Sequence, residues 1–265
     1  MSRIVRYRRG DGQLRHGMLS ADGEAIHEIV DGPYQAGETS EAPEPTASVE
    51  IVAPVRPGTI ACVGLNHRSA QAALDTSPSD EPMIFLKAPN TVTGPGAPIE
   101  CPAGVDVLDV AGELAVVMGR TTRSVSEAEA MRHVLGFTCA LDVGVRQWLI
   151  SDGQWFRAKS SDTFCPLGPW IATEISDPHA MRVTLTVNGE RCESGSTAEL
   201  IWKVPEIIAY ASSYLTFEPG DVILMGSCAG LTKVAPGDTV EVAIEGIGTL
   251  ANTVTAPHPA WRFPL

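Results

Sequence analysis

Six cysteines, at positions 62, 101, 139, 165, 192 and 228, are the most reactive side chains in this sequence. Their spacing limits what they can do: there is no Cys-x-x-Cys pair and no cysteine–histidine cluster, so neither a zinc site nor a dithiol switch is encoded. They are expected as buried thiols in a reducing compartment, and Cys228, with no histidine nearby in sequence, as an inert one. The glycines of Gly226-Ser-Cys-Ala-Gly230 have neither the spacing nor the following lysine of a phosphate-binding loop.

The elements that position the remaining side chains are mostly strands. Short apolar runs between glycines and prolines (Thr59–Leu65, Met83–Leu86, Leu114–Met118) have the texture of buried strands joined by tight loops. Ile4–Tyr7 and Arg15–Leu19 are expected strands of a small β-rich N-terminal segment, residues 1–50, which ends in a polar, proline-bearing linker from Gly37 to Ala47. Residues 51–265 form the main domain. Ser124-Val-Ser-Glu127 reads as a capping box opening a helix to about Val134, stopped by Gly136. Ser196-Thr-Ala-Glu199 reads as a second box, leading into helix up to about Tyr214 with a break or fresh start at Pro205. Asn188-Gly189 suits a type I′ hairpin, and Pro219-Gly-Asp221 and Pro236-Gly-Asp238 are turns into Val222–Met225 and Thr239–Ile244.

The 265 residues, 44% of them hydrophobic, are enough for a continuous core. A formal charge of −13 repels phosphate backbones and anionic lipid, so nucleic acid and membranes are not expected partners. A small anionic substrate remains admissible, because a pocket can be locally positive. The start MSRIVRYRRGDG lacks the apolar run of a signal peptide, and no run of about 18 apolar residues occurs, so a soluble, cytoplasmic protein is expected.

Five segments in order, Thr59–His67, Ile84–Pro89, Gly112–Gly119, Gly136–Asp142 with Arg146, and Lys159–Pro169, resemble successive blocks of the fumarylacetoacetate hydrolase superfamily. Val187–Glu190, Pro219–Ile223 and Gly246–Gly248 continue the resemblance, which runs from about residue 57 to 254. It implies an α+β, mainly β fold, a mixed β-sandwich roll, with Mg²⁺ (or Mn²⁺) acting on small 2-oxo or β-diketo acids in a homodimer.

In that family two glutamates of a Glu-x-Glu pair and a later aspartate hold the metal. The resemblance maps the second glutamate to Glu113 and the aspartate to Asp142, but the first position is Ala111, whose methyl group cannot coordinate. Strand alternation turns residue 109 to the same face, yet Asp109 lies about 6.5 Å further along the strand. The His and Glu that activate water in hydrolytic members map to Ala70 and Ala73. His67, where the family commonly has Tyr, is then either a relocated base or an ordinary hydrogen-bonded histidine. Lys159 and Arg146 keep their contexts: the lysine to stabilise an enolate, the arginine to touch substrate or to pair with an internal carboxylate. Asn66, Thr197 and Ser227 are candidate substrate contacts, the two hydroxyls alternatively capping turns. Trp148, Trp155 and Trp202 are candidates for a bulky pocket wall or for the core.

Without the water-activating pair, the expected activity is enolate chemistry on a small dicarbonyl or 2-oxo carboxylic acid: C–C cleavage, decarboxylation, tautomerisation or cyclisation. The alternatives are a non-catalytic ligand-binding or scaffold homologue, and a conventional Mg²⁺-dependent acylpyruvate hydrolase.

Overall fold

In the computed structural model, residues 2–35, 38–69, 80–227 and 231–256 are described. Two sheets make the fold. The larger, of thirteen strands, runs in the order Glu44–Pro45, Ala25–Glu28, Leu14–Leu19, Arg3–Arg8, Cys165–Ala172, Val134–Gly144, Leu108–Met118, Val222–Ser227, Ile60–Gly64 and Met83–Lys87, with three short strands added beside this path. Most neighbours are antiparallel, but Val222–Ser227 and Ile60–Gly64 run parallel, so the sheet is mixed. The smaller sheet has five strands, centred on Arg182–Val187, Thr239–Ile244 and Gly248–Thr255. This is the mainly β, mixed-sheet sandwich roll that the resemblance implied. The N-terminal strands extend the larger sheet directly, through Arg3–Arg8 against Cys165–Ala172.

Two eleven-residue strands carry the centre, Leu108–Met118 and Val134–Gly144, paired antiparallel with Ala111 directly opposite Asp142. Both are buried along nearly their whole length, which needs cover on both faces. Val110, Leu114, Val116, Met118, Cys139, Leu141 and Val143 face one core together with Leu185, Val240 and Val242 of the smaller sheet. The alternate residues Ala115, Val117 and Ala140 join a second cluster with Ile60, Cys62, Cys165 and Leu224. By the same alternation Asp109, Ala111, Glu113 and Asp142 belong to that second face, at the end where its apolar residues stop.

Several local expectations hold. Asn188 and Gly189 take φ of 53° and 81° between Arg182–Val187 and Glu190–Ser196. The Ser196 hydroxyl caps a 3₁₀ turn over Thr197–Glu199 by accepting from Ala198 N, and a helix follows from Val204 to Tyr214 with Pro205 in its first turn. Others are corrected. The helix expected from Ser124 begins at Glu127, spans four residues and passes into a 3₁₀ turn over Met131–His133. Ser124, at φ 50°, has its N–H bonded to the Ser212 carbonyl instead of starting a helix, and strand pairing claims the chain from Val134. The polar tract is more than a linker: Glu44–Pro45 pairs with Ala25–Glu28, and Glu44 accepts from the buried Tyr7 hydroxyl at 2.8 Å. Of the cysteines, 62, 101, 139 and 165 are buried but Cys192 is exposed on its hairpin, and Cys228 lies outside the described residues. Among the described residues no helix is long and apolar enough to cross a membrane.

Candidate active site

Asp142 is the hub of the site. It sits near the end of the strand Val134–Gly144, between the buried Leu141 and Val143, and it is 5% exposed. A lone carboxylate there would be prohibitively costly, and two ammonium groups answer it. Lys87, at the end of Met83–Lys87, donates to Asp142 Oδ1 at 2.6 Å and to the Val143 carbonyl at 3.0 Å, with its side chain wholly buried. Lys159, in the short helix Phe156–Ser160, donates to Oδ2. Its stem lies against Gly144, where a Cβ would stand 3.2–3.3 Å from Lys159 atoms and from the Ala158 carbonyl, so glycine leaves the lane along which the ammonium reaches the aspartate.

Glu113 lies on the neighbouring strand and accepts from Gly226 N at 2.8 Å through Oε2. Gly226 has φ 97°, and a Cβ there would come within 2.9 Å of the Val63 carbonyl; only glycine turns its N–H to Glu113 in this position. Burial, and next the charge of Asp142, push the Glu113 carboxyl up to about 8, so it holds its proton at neutral pH. Burial works the same way on Asp142, but Lys159 and Lys87 together outweigh it and hold that carboxyl below its ordinary value. Lys87 pays for its own burial through Asp142 and ends above the ordinary lysine value. The face thus holds one ionised and one protonated acid, a pairing whose members are set for different roles.

The other expected residues divide. Arg146 Nε donates to Asp109 Oδ2 at 3.0 Å, with Arg146 half exposed and Asp109 nearly buried. Ser227 is the cross-strand partner of Glu113. Asn66, His67 and Thr197, by contrast, spend their polar atoms on the fold. The Asn66 amide donates to the Met225 and Trp202 carbonyls at 2.8 and 3.1 Å and accepts from Trp202 N at 2.8 Å. His67 Nε2 faces the Ser196 carbonyl at 3.0 Å and therefore carries the proton, leaving Nδ1 to accept from the Ser69 hydroxyl at 2.7 Å. Thr197 Oγ1 accepts from Met181 N at 2.9 Å. Ala70 and Ala73 lie outside the described residues. Trp155 meets Phe85 edge-on at 5.1 Å, and both line a cavity of about 510 Å³ beside Lys87 and Ser160. Trp148 packs under Arg157 and Trp202 against the core.

Lys87 lies in the matched block Ile84–Pro89 but is not one of the functional residues that the resemblance implies. A lysine closing a strand run of apolar residues is a signal in itself, since an ammonium in that setting must find a buried anion.

Among the described residues the donor set does not fit a divalent metal. Among the described residues no three histidine, cysteine or carboxylate side chains gather. Asp142 has both oxygens on ammonium groups, Ala111 opposite it offers a methyl group, and Asp109 is paired with Arg146.

The chain belongs to the fumarylacetoacetate hydrolase family: residues 59–255 match the family model described as fumarylacetoacetate (FAA) hydrolase C-terminal. It is 40% identical over 206 residues to a 4-hydroxyphenylacetate degradation bifunctional isomerase/decarboxylase of Salmonella dublin, covering 77% of this chain and 48% of that protein. Among solved structures it is similar to 2-hydroxyhepta-2,4-diene-1,7-dioate isomerase from Mycobacterium marinum, with TM-score 0.89, 37% identity, and 97% and 99% of the two chains covered. A maleylpyruvate hydrolase from Sphingobium sp. SYK-6, solved with manganese(II) and pyruvate, aligns with TM-score 0.78 and 29% identity over 97% and 100% of the chains. These relatives are enzymes acting on small acids, and a divalent metal is bound within the family.

Proposed function

We propose that this chain is an enzyme that forms an enolate from a small 2-oxo or β-dicarbonyl carboxylic acid, by decarboxylation or by keto–enol isomerisation, without an activated water. The observation that carries this reading is the buried Lys87–Asp142–Lys159 cluster with Glu113 beside it. Asp142 orients the Lys159 ammonium, which stabilises negative charge developing on the substrate oxygen; such preorganised donors are strongest where water is excluded. On decarboxylation the bond to the departing carboxylate breaks, carbon dioxide leaves, and its electron pair stays behind as the enolate. Glu113, protonated at neutral pH, supplies the proton that returns carbon to the keto form after decarboxylation; in the isomerisation its ionised form takes the proton from carbon, and the protonated carboxyl then passes it to the enolate oxygen. The isomerase and decarboxylase names of relatives support the same chemistry.

Hydrolysis has less support, because His67 meets a backbone carbonyl through Nε2 and a hydroxyl through Nδ1. A binding protein without catalysis gains some support from the same fact, together with the fastening of Asn66 and Thr197 to backbone.

The test is oxaloacetate turnover by the full chain, with carbon dioxide release and enol absorbance followed separately. Turnover lost in Lys159→Met supports the enzyme. No turnover of oxaloacetate or of acylpyruvates sinks it in favour of the binding protein, and acylpyruvate cleavage alone would favour the hydrolase.

A further inference from the structure

Two ammoniums face the one ionised carboxylate of Asp142, and that bears on which cation this chain uses. Lys87 and Lys159 both pair with Asp142, Arg146 pairs with Asp109, and Glu113, protonated and bonded to Gly226 N, adds no negative charge, so the buried ring already carries one positive charge in excess. Lys87, Glu113, Asp142 and Lys159 are all no more than 7% exposed. A divalent ion entering this ring would add two uncompensated charges to a desolvated site, and it would have to displace an ammonium from Asp142 to reach an oxygen. Burying a charge without compensation is strongly unfavourable. The residue facing Asp142 across the ladder, where side chains on opposed strands lie about 4.5–5.5 Å apart, is Ala111.

We infer that the two lysine ammoniums have taken over the work of the divalent cation, so that this chain holds the oxyanion of a 2-oxo acid or its enolate without metal. The inference rests on the proposed enolate chemistry for its ligand, but its geometry is independent of turnover. Lys159 is the group that meets the anion. Lys87, wholly buried and bonded to both Asp142 and the Val143 carbonyl, is a positioning residue that keeps Asp142 charged and its second oxygen aimed at Lys159. A single change is expected to restore a metal site: Ala111→Glu places a third carboxylate opposite Asp142 and beside Glu113, lowering the excess charge that a divalent ion would bring.

Two measurements on the full chain test this, and neither needs turnover. The first is calorimetric titration with oxalate, a planar dianion resembling the enolate of a 2-oxo acid, in EDTA and again in millimolar Mg²⁺. The expected result is the same affinity in both buffers to within about twofold, and at least about tenfold weaker binding in Lys159→Met, a loss of about 1.4 kcal/mol. The second is Mn²⁺ binding by electron paramagnetic resonance. The expected result is no stoichiometric binding at micromolar Mn²⁺ in the natural sequence and at least about tenfold tighter binding in Ala111→Glu than in Ala111→Gln. Oxalate binding that requires Mg²⁺, or micromolar Mn²⁺ binding by the natural sequence that Asp142→Asn abolishes, overturns the ammonium assignment while leaving the enolate chemistry standing. Failure to bind oxalate in either buffer overturns both. Should Ala111→Glu not fold, the oxalate and Mn²⁺ titrations of the natural sequence decide alone.

Discussion

Arg9 and Asp142 each sit between two partners of opposite charge, in surroundings that make the two clusters unlike. Arg9 joins Glu28 at 2.7 Å and Glu44, with about a quarter to a third of each side chain exposed. Asp142 joins Lys87 and Lys159 with 0–9% of each side chain exposed. Water screens the first cluster, and its members would be solvated almost as well apart; the second has no such substitute, so each member depends on the others. The same salt-bridge chemistry is therefore a minor fastening at the N-terminal strands and a poised charge arrangement at the centre.

The difference can be broken most forcefully at the hub. Asp142→Ala leaves two ammoniums buried without the carboxylate that balances them and is expected to cost about 3–5 kcal/mol, read as a lower urea midpoint with an unchanged slope. Lys159→Met should lower oxaloacetate turnover by about 10²–10³, the size of losing one preorganised oxyanion donor, while far-ultraviolet dichroism stays native. Glu113 gives a pH test with a definite sign. Its folded-state value near 8 lies above the ordinary 4.5, so the folded state holds the proton longer than the unfolded chain does, and stability falls as pH rises through that interval. Melting temperature in the natural sequence should drop relative to Glu113→Gln between pH 5 and 9, by a gap worth about 1–3 kcal/mol. An absent gap would mean that the carboxyl is ionised at neutral pH and is not the proton donor. Arg9→Ala should cost only about 0–1 kcal/mol, and less in high salt; a loss as large as that of Asp142→Ala would erase the contrast.

Much of this arrangement was legible in advance, and for identifiable reasons. Turns announce themselves because Asn188-Gly189 takes left-handed backbone conformations that few other pairs accept. Glu113, Asp142 and Lys159 could be picked out by their matched blocks. Cross-strand register was not legible: that Ala111 stands opposite Asp142, and that Lys87 reaches an aspartate 55 positions away, depends on how two long strands align and how an edge strand folds over them. Nor was the fate of Asn66, His67 and Thr197, whose polar atoms could equally have faced a ligand or a neighbouring backbone; the partners come from the segments around 181, 196, 202 and 225.

By itself the sequence determined the mainly β architecture and the family, because hydrophobic period, turn chemistry and residue identity are local properties. Only the tertiary structure decided that Asp142 is held by two lysines, that burial pushes the Glu113 carboxyl up, and that His67 is tied to a carbonyl. Those outcomes depend on burial and on distances between residues remote in the chain, and both arise only when the sheets close.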